Sequence, residues 1–408
     1  MIASMTEAEI AKLSAWIADA GLAGLTETAL VAGFCVRVVA AGTPLARAIV
    51  FIDTLHPVHE GRMFRWDRGA AAATLAEYGR STEGLAAERW RASVFFRMLE
   101  SGETLLHRRI DSEGEAEFTM FPELRGSGIT DYLAIVNRFG ADGVIGGMDC
   151  LYSSWMSDRA GGFSDEDIEA LRRLLPFLAL AVKSVSLGRI AETLVETCLG
   201  RDAGRRVLGG KIARGIAERI EAVLWFSDLR NYTRISDTSP PDKIIPFLNN
   251  YAEAVVSSIH AEGGDVLKLI GDGVLAIFPA ADRSRACLAA LNAARGARGA
   301  VGELNARLIA KSAPSTDMYL GLHVGEVFYG NIGSKERLDF TVIGPAVNEV
   351  SRIAAMCRSI DQPVLLSAAF AEAVADPSRL VSVGRYALRG VSRPQELFTV
   401  EPDASGVA

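Results

Sequence analysis

The segment DVLKLIGDGVLAIF, residues 265–278, is the feature of the sequence that most restricts the fold. Two apolar runs of the kind that form β-strands flank a Gly-Asp-Gly turn, which predicts an antiparallel hairpin with strands at 266–270 and 274–278. Asp272 lies at the predicted turn, where an Asp-Gly pair is favoured. Lys268 precedes it by four residues, so regular alternation places both side chains on one face. The hairpin explains Asp272 as a turn residue but leaves Lys268 unexplained.

The order of elements around this hairpin indicates the fold class. From residue 218 onward, strand and helix patterns alternate, with the hairpin in the middle. The other predicted elements are a strand at 221–227, a helix at about 241–261, a helix at about 282–310, strands at 318–324 and 339–344, a helix at 346–357, a strand at 363–367 and a last hairpin near 381–400. This order is typical of a ferredoxin-like, split βαβ core with additions, in an α+β domain over residues 218–408.

The first half of the chain has a different pattern. Strands are predicted at 45–55 and 131–139, and Ser164 is an N-cap candidate, with Asp167 three residues later, for a long helix that closes a mixed α/β domain over residues 1–183. Apolar residues at steps of three and four then predict a helical linker over residues 184–217. This linker helix either pairs with a copy of itself or packs on its own domain, because the run is too short to decide.

Composition narrows the class of protein. A chain of 408 residues predicts two domains, and 49% hydrophobic with 23% charged residues is typical of a folded chain. The net charge of −7 argues against nucleic-acid binding. The longest apolar stretches, such as 174–182, are about half of a bilayer span, so we expect no transmembrane helix. An acidic first segment and five scattered cysteines predict a reduced, cytoplasmic protein without export.

Two aspartates suggest a metal site. Asp228 ends an apolar strand in WFSDLRNYT, and Asp272 lies at the hairpin turn. Carboxylates at the tips of neighbouring strands can hold Mg²⁺, which takes one or two protein carboxylates together with substrate phosphates. Each aspartate alone is better explained as a turn or cap residue, and it is their pairing that favours a metal site.

Four motifs together resemble one known family. FSDLRNYT, GGDVLKLIGDGVLAIF, GLHVGEVFYGNIG and DFTVIGPAVNEVSRI are similar to motifs of the class III nucleotidyl cyclases, specifically adenylate cyclases, and they follow in the same order within residues 218–400. The resemblance implies conversion of ATP to 3′,5′-cyclic AMP and pyrophosphate with two Mg²⁺ or Mn²⁺ ions at each site. It implies that Asp228, Asp272 and the backbone carbonyl of Leu229 bind these ions.

The resemblance also assigns a base pocket. Lys268 matches the position that selects adenine, because an ammonium donates to the N1 acceptor of adenine and opposes the N1–H of guanine. Thr341 matches a position where many relatives carry an acidic residue, and its hydroxyl serves either base. A lysine and threonine pair occurs in one branch of the family. As an alternative, Lys268 is an exposed edge charge and Thr341 a simple strand former.

The remaining site residues follow from the same motifs. Asn348 and Arg352 lie four apart on a predicted helix and match the residues that orient the ribose and bond the charge developing on the α-phosphate. Arg389 matches a phosphate-binding position where a lysine is common. Pro345 departs from the family pattern, although proline is tolerated at the start of a helix.

The resemblance implies a head-to-tail homodimer, because each site takes its metal aspartates from one subunit and its base pocket and the pair of Asn348 and Arg352 from the other. The segment GGFSDEDIEALRRLLPFLALAVK resembles the closing helix of GAF-type sensor domains, so we expect the first half to receive an unknown small-molecule or protein signal. Two other functions remain open: a guanylate cyclase, and a catalytically silent dimer that only binds nucleotide.

Overall fold

The structure is a computed structural model that describes residues 5–80, 82, 84–110, 117–140, 144–213, 215–391 and 393–401. The chain divides into two compact units, with the division between Leu194 and Val195. Each unit has its own hydrophobic core, and each is described by itself.

The first unit is built on one antiparallel sheet. Its strands are β1 (Arg47–Asp53), β2 (Gly61–Asp67), β3 (Thr74–Tyr78), β4 (Leu105–Arg109), β5 (Asp131–Arg138) and β6 (Cys150–Ser157). They are ordered β3-β2-β1-β6-β5-β4, and every neighbouring pair is antiparallel. The strands predicted at 45–55 and 131–139 are confirmed as β1 and β5. Strand β6 is buried throughout, which fits its central position between β1 and β5.

Helices cover both faces of this sheet. They are α1 (Glu7–Leu22), α2 (Glu27–Ala40), α3 (Gly84–Arg91), α4 (Val94–Ser101), α5 (Phe121–Gly126) and α6 (Asp165–Leu199). Apolar residues of α1, α2 and α6 form a core against one face, while α4, α5 and alternate strand residues form a second core on the other. Strand alternation explains the two cores, because successive side chains point to opposite faces.

Helix α6 is longer than the sequence patterns suggested. The predicted cap is confirmed, since Ser164 Oγ accepts from the Asp167 amide at 3.1 Å and Asp167 Oδ2 accepts from the Ser164 amide at 2.9 Å. The helix then continues to Leu199, so the predicted closing helix and the first part of the predicted linker are one element. Apolar residues continue across the predicted boundary at residue 183, and no helix breaker separates the two parts.

By length and composition, α6 is one helix among the described residues that could cross a membrane. The core helix of a water-soluble protein passes the same test, and 44% of its most apolar stretch is buried within the protein. Glu27 of α2 also anchors α6, because its buried carboxylate accepts from Arg189 at 3.2 Å and from Ser186 at 3.4 Å. The absence of a membrane span stays a prediction.

The second unit contains an eight-stranded sheet. Its strands are β7 (Ala217–Leu229), β8 (Asp265–Ile270), β9 (Gly273–Pro279), β10 (Met318–Gly333), β11 (Leu338–Ile343), β12 (Val364–Ser367), β13 (Leu380–Tyr386) and β14 (Gln395–Val400). The order is β13-β14-β12-β10-β7-β9-β8, and β11 pairs with β10. The central order β10-β7-β9-β8, antiparallel throughout, interleaves two βαβ units as the sequence predicted.

The helices of this unit lie on the two faces of its sheet. They are α7 (Arg201–Leu208), α8 (Tyr232–Thr238), α9 (Pro241–Ala261), α10 (Arg283–Ala310), α11 (Pro345–Ile360) and α12 (Ala368–Ala373), with a 3₁₀ turn at Pro377–Arg379. Helices α9 and α10 pack on one face, whereas α7 and α11 pack on the other. Alternate residues of β7 serve the two cores, with Trp225 in the first and Leu224 in the second.

The hairpin predicted over residues 266–278 is present, but its turn differs from the prediction. The two residues between β8 and β9 are Gly271 and Asp272, since Ile270 pairs with Gly273. Gly271 has φ +64°, a conformation that favours glycine as the first central residue of a two-residue turn. The predicted Asp-Gly turn pair is therefore wrong, because the turn comes one residue earlier.

Candidate active site

Asp228 and Asp272 meet at one edge of the second sheet. Asp228 is the penultimate residue of β7, Asp272 immediately precedes β9, and the pairing of Ser227 with Val274 sets the two strand ends side by side. The backbone N–H of Leu229 donates to Asp272 Oδ2 at 3.2 Å. Burial, reinforced by the adjacent Asp272 carboxylate, raises the pKa of Asp228 to about 6. The fold thus holds two carboxylates so close together that their negative charges repel each other.

This pair fits a divalent ion that also binds substrate phosphates. Asp228, Leu229 and Asp272 line a cavity of about 170 Å³. Within the described part of the chain, no group of three or more His, Cys, Asp or Glu side chains forms a closed metal cage. Two carboxylates that are not part of such a cage suit Mg²⁺, which keeps positions for water and phosphate. A cation between the carboxylates would also relieve their repulsion.

Lys268 lies in a different cavity from Asp272. It lies on β8 and lines a cavity of about 680 Å³ with residues of β11, and its ammonium forms an ion pair with the carboxylate of Asp339. The prediction that Lys268 and Asp272 share one face is wrong. Strand β8 ends at Ile270, and Asp272 belongs to the turn that follows, so the alternation of side chains along the strand does not extend to Asp272.

Thr341 shares a strand face with Asp339. Both lie on β11 and are partly exposed, while Phe340 and Val342 between and beyond them are buried in the core on the other face. Thr341 pairs with Gly330 of β10. The structure therefore brings Lys268, Asp339 and the strand that carries Thr341 to one side of the domain.

Helix α11 carries Asn348 and Arg352 one turn apart, as predicted. Pro345 is its first residue, where the missing N–H costs nothing. Arg352 lies over the turn that follows β13, because a Cβ on Gly390 would come 3.4 Å from Arg352 Nη1. Arg389 is the exposed neighbour of Gly390 in this turn. The two arginines predicted to bind phosphate are thus carried by adjacent segments.

Comparison with known proteins identifies the family of the second half of the chain. Residues 217–401 match the family model described as the adenylate and guanylate cyclase catalytic domain. These residues belong to that domain family. We refer to them below as the cyclase domain.

Several known proteins are similar to the chain. "Adenylate cyclase, terminal-differentiation specific" from Dictyostelium discoideum is 31% identical over 41% of this chain and 8% of its own length. The crystal structure of the adenylyl cyclase CyaB from P. aeruginosa is 23% identical and covers 47% of this chain and 100% of its own, with a TM-score of 0.43. The crystal structure of the guanylyl cyclase Cya2 is 26% identical in sequence and covers 46% of this chain and 97% of its own, with a TM-score of 0.41. The chain spans well under two thirds of the length of the curated relatives it matches.

Sequence reasoning missed Asp339. The available signal was its spacing, since an acidic residue two positions before Thr341 on a strand shares the face of Thr341. Its pairing with Lys268 depended on the order of β8 and β11 in space, which the sequence did not reveal.

The junction at Gly200 was also missed. Gly200 separates α6 from α7 with φ +91°, and a Cβ there would come 2.5 Å from the carbonyl oxygen of Val266. Asp265, the first residue of β8, accepts from the amides of Arg201 and Asp202 at 3.1 and 3.4 Å. The start of α7 is therefore fixed to the strand of the cyclase domain that carries Lys268.

Proposed function

We propose that the protein is an adenylate cyclase that converts ATP to 3′,5′-cyclic AMP and pyrophosphate. The meeting of Asp228 and Asp272 at neighbouring strand ends, within a domain of the cyclase family, carries the proposal. Preference for ATP over GTP is inferred from Lys268. The homodimer is inferred from the two separate cavities of the cyclase domain, and regulation from the fold of the first unit.

Asp228 and Asp272 would hold two Mg²⁺ or Mn²⁺ ions, with the carbonyl of Leu229 as a further ligand. Bound ions of this kind lower the pKa of an attacking hydroxyl and offset charge on the phosphates. The protein's own part is to present two carboxylates at a fixed separation, because both come from strand ends in one sheet. The N–H of Leu229 holds the Asp272 carboxylate in place.

Lys268 would bind the base. Its ammonium has three donors, so it can bond Asp339 and still donate to the N1 acceptor of adenine, whereas guanine presents an N1–H there. Thr341 on the neighbouring strand would take a bond from the adenine amino group. Because the same hydroxyl can donate to the carbonyl oxygen of guanine, Thr341 is the feature that favours a guanylate cyclase as the second candidate.

Asn348 and Arg352 would act at the reacting centre. Asn348 is exposed on α11 and would orient the ribose, while the guanidinium of Arg352 would bond charge that develops on the α-phosphate. Arg389, beside the glycine that Arg352 covers, would bind the leaving phosphates.

A head-to-tail homodimer would assemble the complete site. The metal aspartates and Lys268 line two separate cavities of one chain, so a single chain presents two half-sites. A second copy turned by a two-fold axis would bring the aspartates of one subunit to the Lys268 of the other, and two equivalent sites would result.

The first unit would act as a GAF-like sensor. The support is its sheet order β3-β2-β1-β6-β5-β4 with helices on both faces and a long closing helix, α6, that ends at Leu199. We propose a cytoplasmic protein without a membrane span and without nucleic-acid partners, whose signal reaches the first unit.

An assay of cyclic product separates the candidate functions. Full-length protein is incubated with ATP or GTP and with Mg²⁺ or Mn²⁺, alongside Asp228→Asn and the control Asp237→Asn, an exposed aspartate on α8. We expect cyclic AMP from wild type and control, and a loss of at least about 100-fold in Asp228→Asn. Preferential cyclic GMP would favour the guanylate reading. Nucleotide binding without product would favour the silent dimer, and full activity of Asp228→Asn would contradict the metal assignment.

A further inference from the structure

The first unit contains a cavity of about 570 Å³ between its sheet and helices α3 and α4. Five aromatic side chains line it, namely those of Phe51, Tyr78, Trp90, Phe95 and Tyr152. The rings are fixed against one another by edge-to-face and tilted contacts, with centroids 5.3 to 6.3 Å apart. This size is typical of a small-molecule site. We call it the aromatic cavity.

Two of the three charged residues that line the aromatic cavity are acidic. Asp53, at the end of β1, and Glu60, just before β2, both line the aromatic cavity. Asp53 accepts a hydrogen bond from the Tyr78 hydroxyl at 2.9 Å, which leaves other lone pairs of its carboxylate for a ligand. Burial, together with the nearby carboxylates of Glu60 and Asp149, raises the pKa of Asp53 to about 6. The inner wall therefore carries negative charge in a poorly solvated place.

Arg89 is the cation among the lining residues, but it is exposed on the last turn of α3. Water screens an exposed guanidinium, whereas the charge of Asp53 is partly buried beside aromatic faces. Aromatic faces also attract cations through their quadrupoles, most strongly for tryptophan and tyrosine. The partly buried carboxylate and the aromatic rings thus both favour a positively charged ligand.

We propose that the aromatic cavity binds a small organic cation, a protonated or quaternary amine on an aromatic or aliphatic body. The amine lies against Asp53 and the rings of Tyr78 and Trp90, and the apolar body fills the space between Phe51, Phe95 and Tyr152.

Calorimetric titration of the full-length protein with matched probes tests the site. Tryptamine, phenethylamine and benzyltrimethylammonium are the cations, tryptophol is the neutral counterpart of tryptamine, and indole-3-propionate is the anionic one. We expect at least one cation to bind, and both tryptophol and indole-3-propionate to bind at least 10-fold more weakly than that cation. Failure of all three cations, or equally tight binding of tryptophol or indole-3-propionate, overturns the proposal.

Two variants locate the bound amine. Asp53→Asn keeps the shape and the acceptor for Tyr78, and it should weaken cation binding at least 10-fold while leaving tryptophol unchanged. Trp90→Leu should weaken the binding of the same cations because the aromatic ring is lost. This variant tests the proposal if Asp53→Asn does not fold. Asp19→Asn, an exposed change on α1, is the control and should bind as wild type does. Unchanged cation binding in the folded Asp53→Asn or Trp90→Leu variant overturns the proposal.

Discussion

Lys268 and Asp339 form an ion pair that joins β8 to β11 at the rim of the larger cavity of the cyclase domain. Both side chains are 44% exposed, so the pair adds little stability, but it fixes the position of the ammonium that we assign to the base. Asp339→Asn should lower the ratio of kcat/KM for ATP over GTP by about two- to five-fold, the equivalent of a weak ion pair. Steady-state assays with both nucleotides measure this ratio.

A matched change separates this effect from a general loss of charge. Glu326 of β10 forms a similarly exposed ion pair with Arg219 of β7, and Glu326→Gln removes it without touching the base pocket. The control should keep the wild-type ratio. An unchanged ratio in Asp339→Asn would show that Asp339 does not position Lys268.

The two metal aspartates should destabilise the folded cyclase domain when no cation is present. Asp228 and Asp272 repel each other, so Asp228→Asn should stabilise the metal-free cyclase domain by up to about 1 kcal/mol. Mn²⁺ should raise the melting temperature of wild type but not of the variant, because an ion that binds the folded state stabilises it. Thermal melts with EDTA and with Mn²⁺ test both points, with Asp237→Asn as control. An equal Mn²⁺ response in wild type and Asp228→Asn would place the ion elsewhere.

The dimer proposal predicts complementation between inactive chains. Asp228→Ala and Asn348→Ala should each be inactive alone, because both sites of each homodimer lack one group. If equal amounts mix at random, about half of the dimers are mixed, and each mixed dimer has one intact site of two. Activity should therefore recover to about a quarter of the wild-type level after co-refolding or co-expression. A mixture that stays inactive while mixed dimers are demonstrated would mean that each chain builds its whole site alone.

The sequence was sufficient for the elements that depend on local patterns. The hairpin, helices α9, α10 and α11 and the split βαβ order follow from apolar periodicity and turn residues, and these were predicted to within a few residues. The prediction that Lys268 and Asp272 share a face failed because the sequence pattern did not show that β8 ends at Ile270 and leaves Asp272 in the turn. The pairing of Lys268 with Asp339 joins residues 71 positions apart, so it required the sheet topology.

The backbone conformation of Gly200, just before α7, predicts that this position does not tolerate a side chain. Its φ of +91° and ψ of 161° lie in a region that is essentially restricted to glycine, and a side chain there would meet the Val266 carbonyl. Gly200→Ala should lower the free energy of unfolding of the second unit by about 2 kcal/mol or more. It should also reduce cyclase activity, because it displaces the segment that carries Lys268. Denaturant unfolding and product assays measure the two effects.

Gly188 provides the matched control for that substitution. It lies inside α6, and an added Cβ would have no neighbour within 4 Å. Gly188→Ala should be neutral or stabilising by about 0.5 to 1 kcal/mol, because alanine is the better helix former. A Gly200→Ala protein as stable and active as Gly188→Ala would show that the junction tolerates other geometries.

Asp53 predicts how the stability of the first unit depends on pH. Because burial raises its folded-state pKa from 3.8 to about 6, the folded state binds a proton more tightly than the unfolded chain does. Stability should therefore fall as pH rises from about 4 to about 6, and this contribution should stay constant above that range. The side chain at position 53 of Asp53→Asn cannot ionise. The free energy of unfolding of the first unit should therefore be higher in this variant than in wild type by on the order of 2 kcal/mol at pH 8, and equal to it near pH 4.

Tryptophan fluorescence can report on this unit within the full-length chain. Four of the five tryptophans, Trp16, Trp66, Trp90 and Trp155, belong to the first unit, so a Trp225→Phe background removes the signal of the second. Urea unfolding is then followed at pH 4, 6 and 8 with and without Asp53→Asn. The difference between the two proteins should grow from pH 4 to pH 6 and then level off. A difference independent of pH would mean that Asp53 ionises as readily in the folded protein as in the unfolded chain.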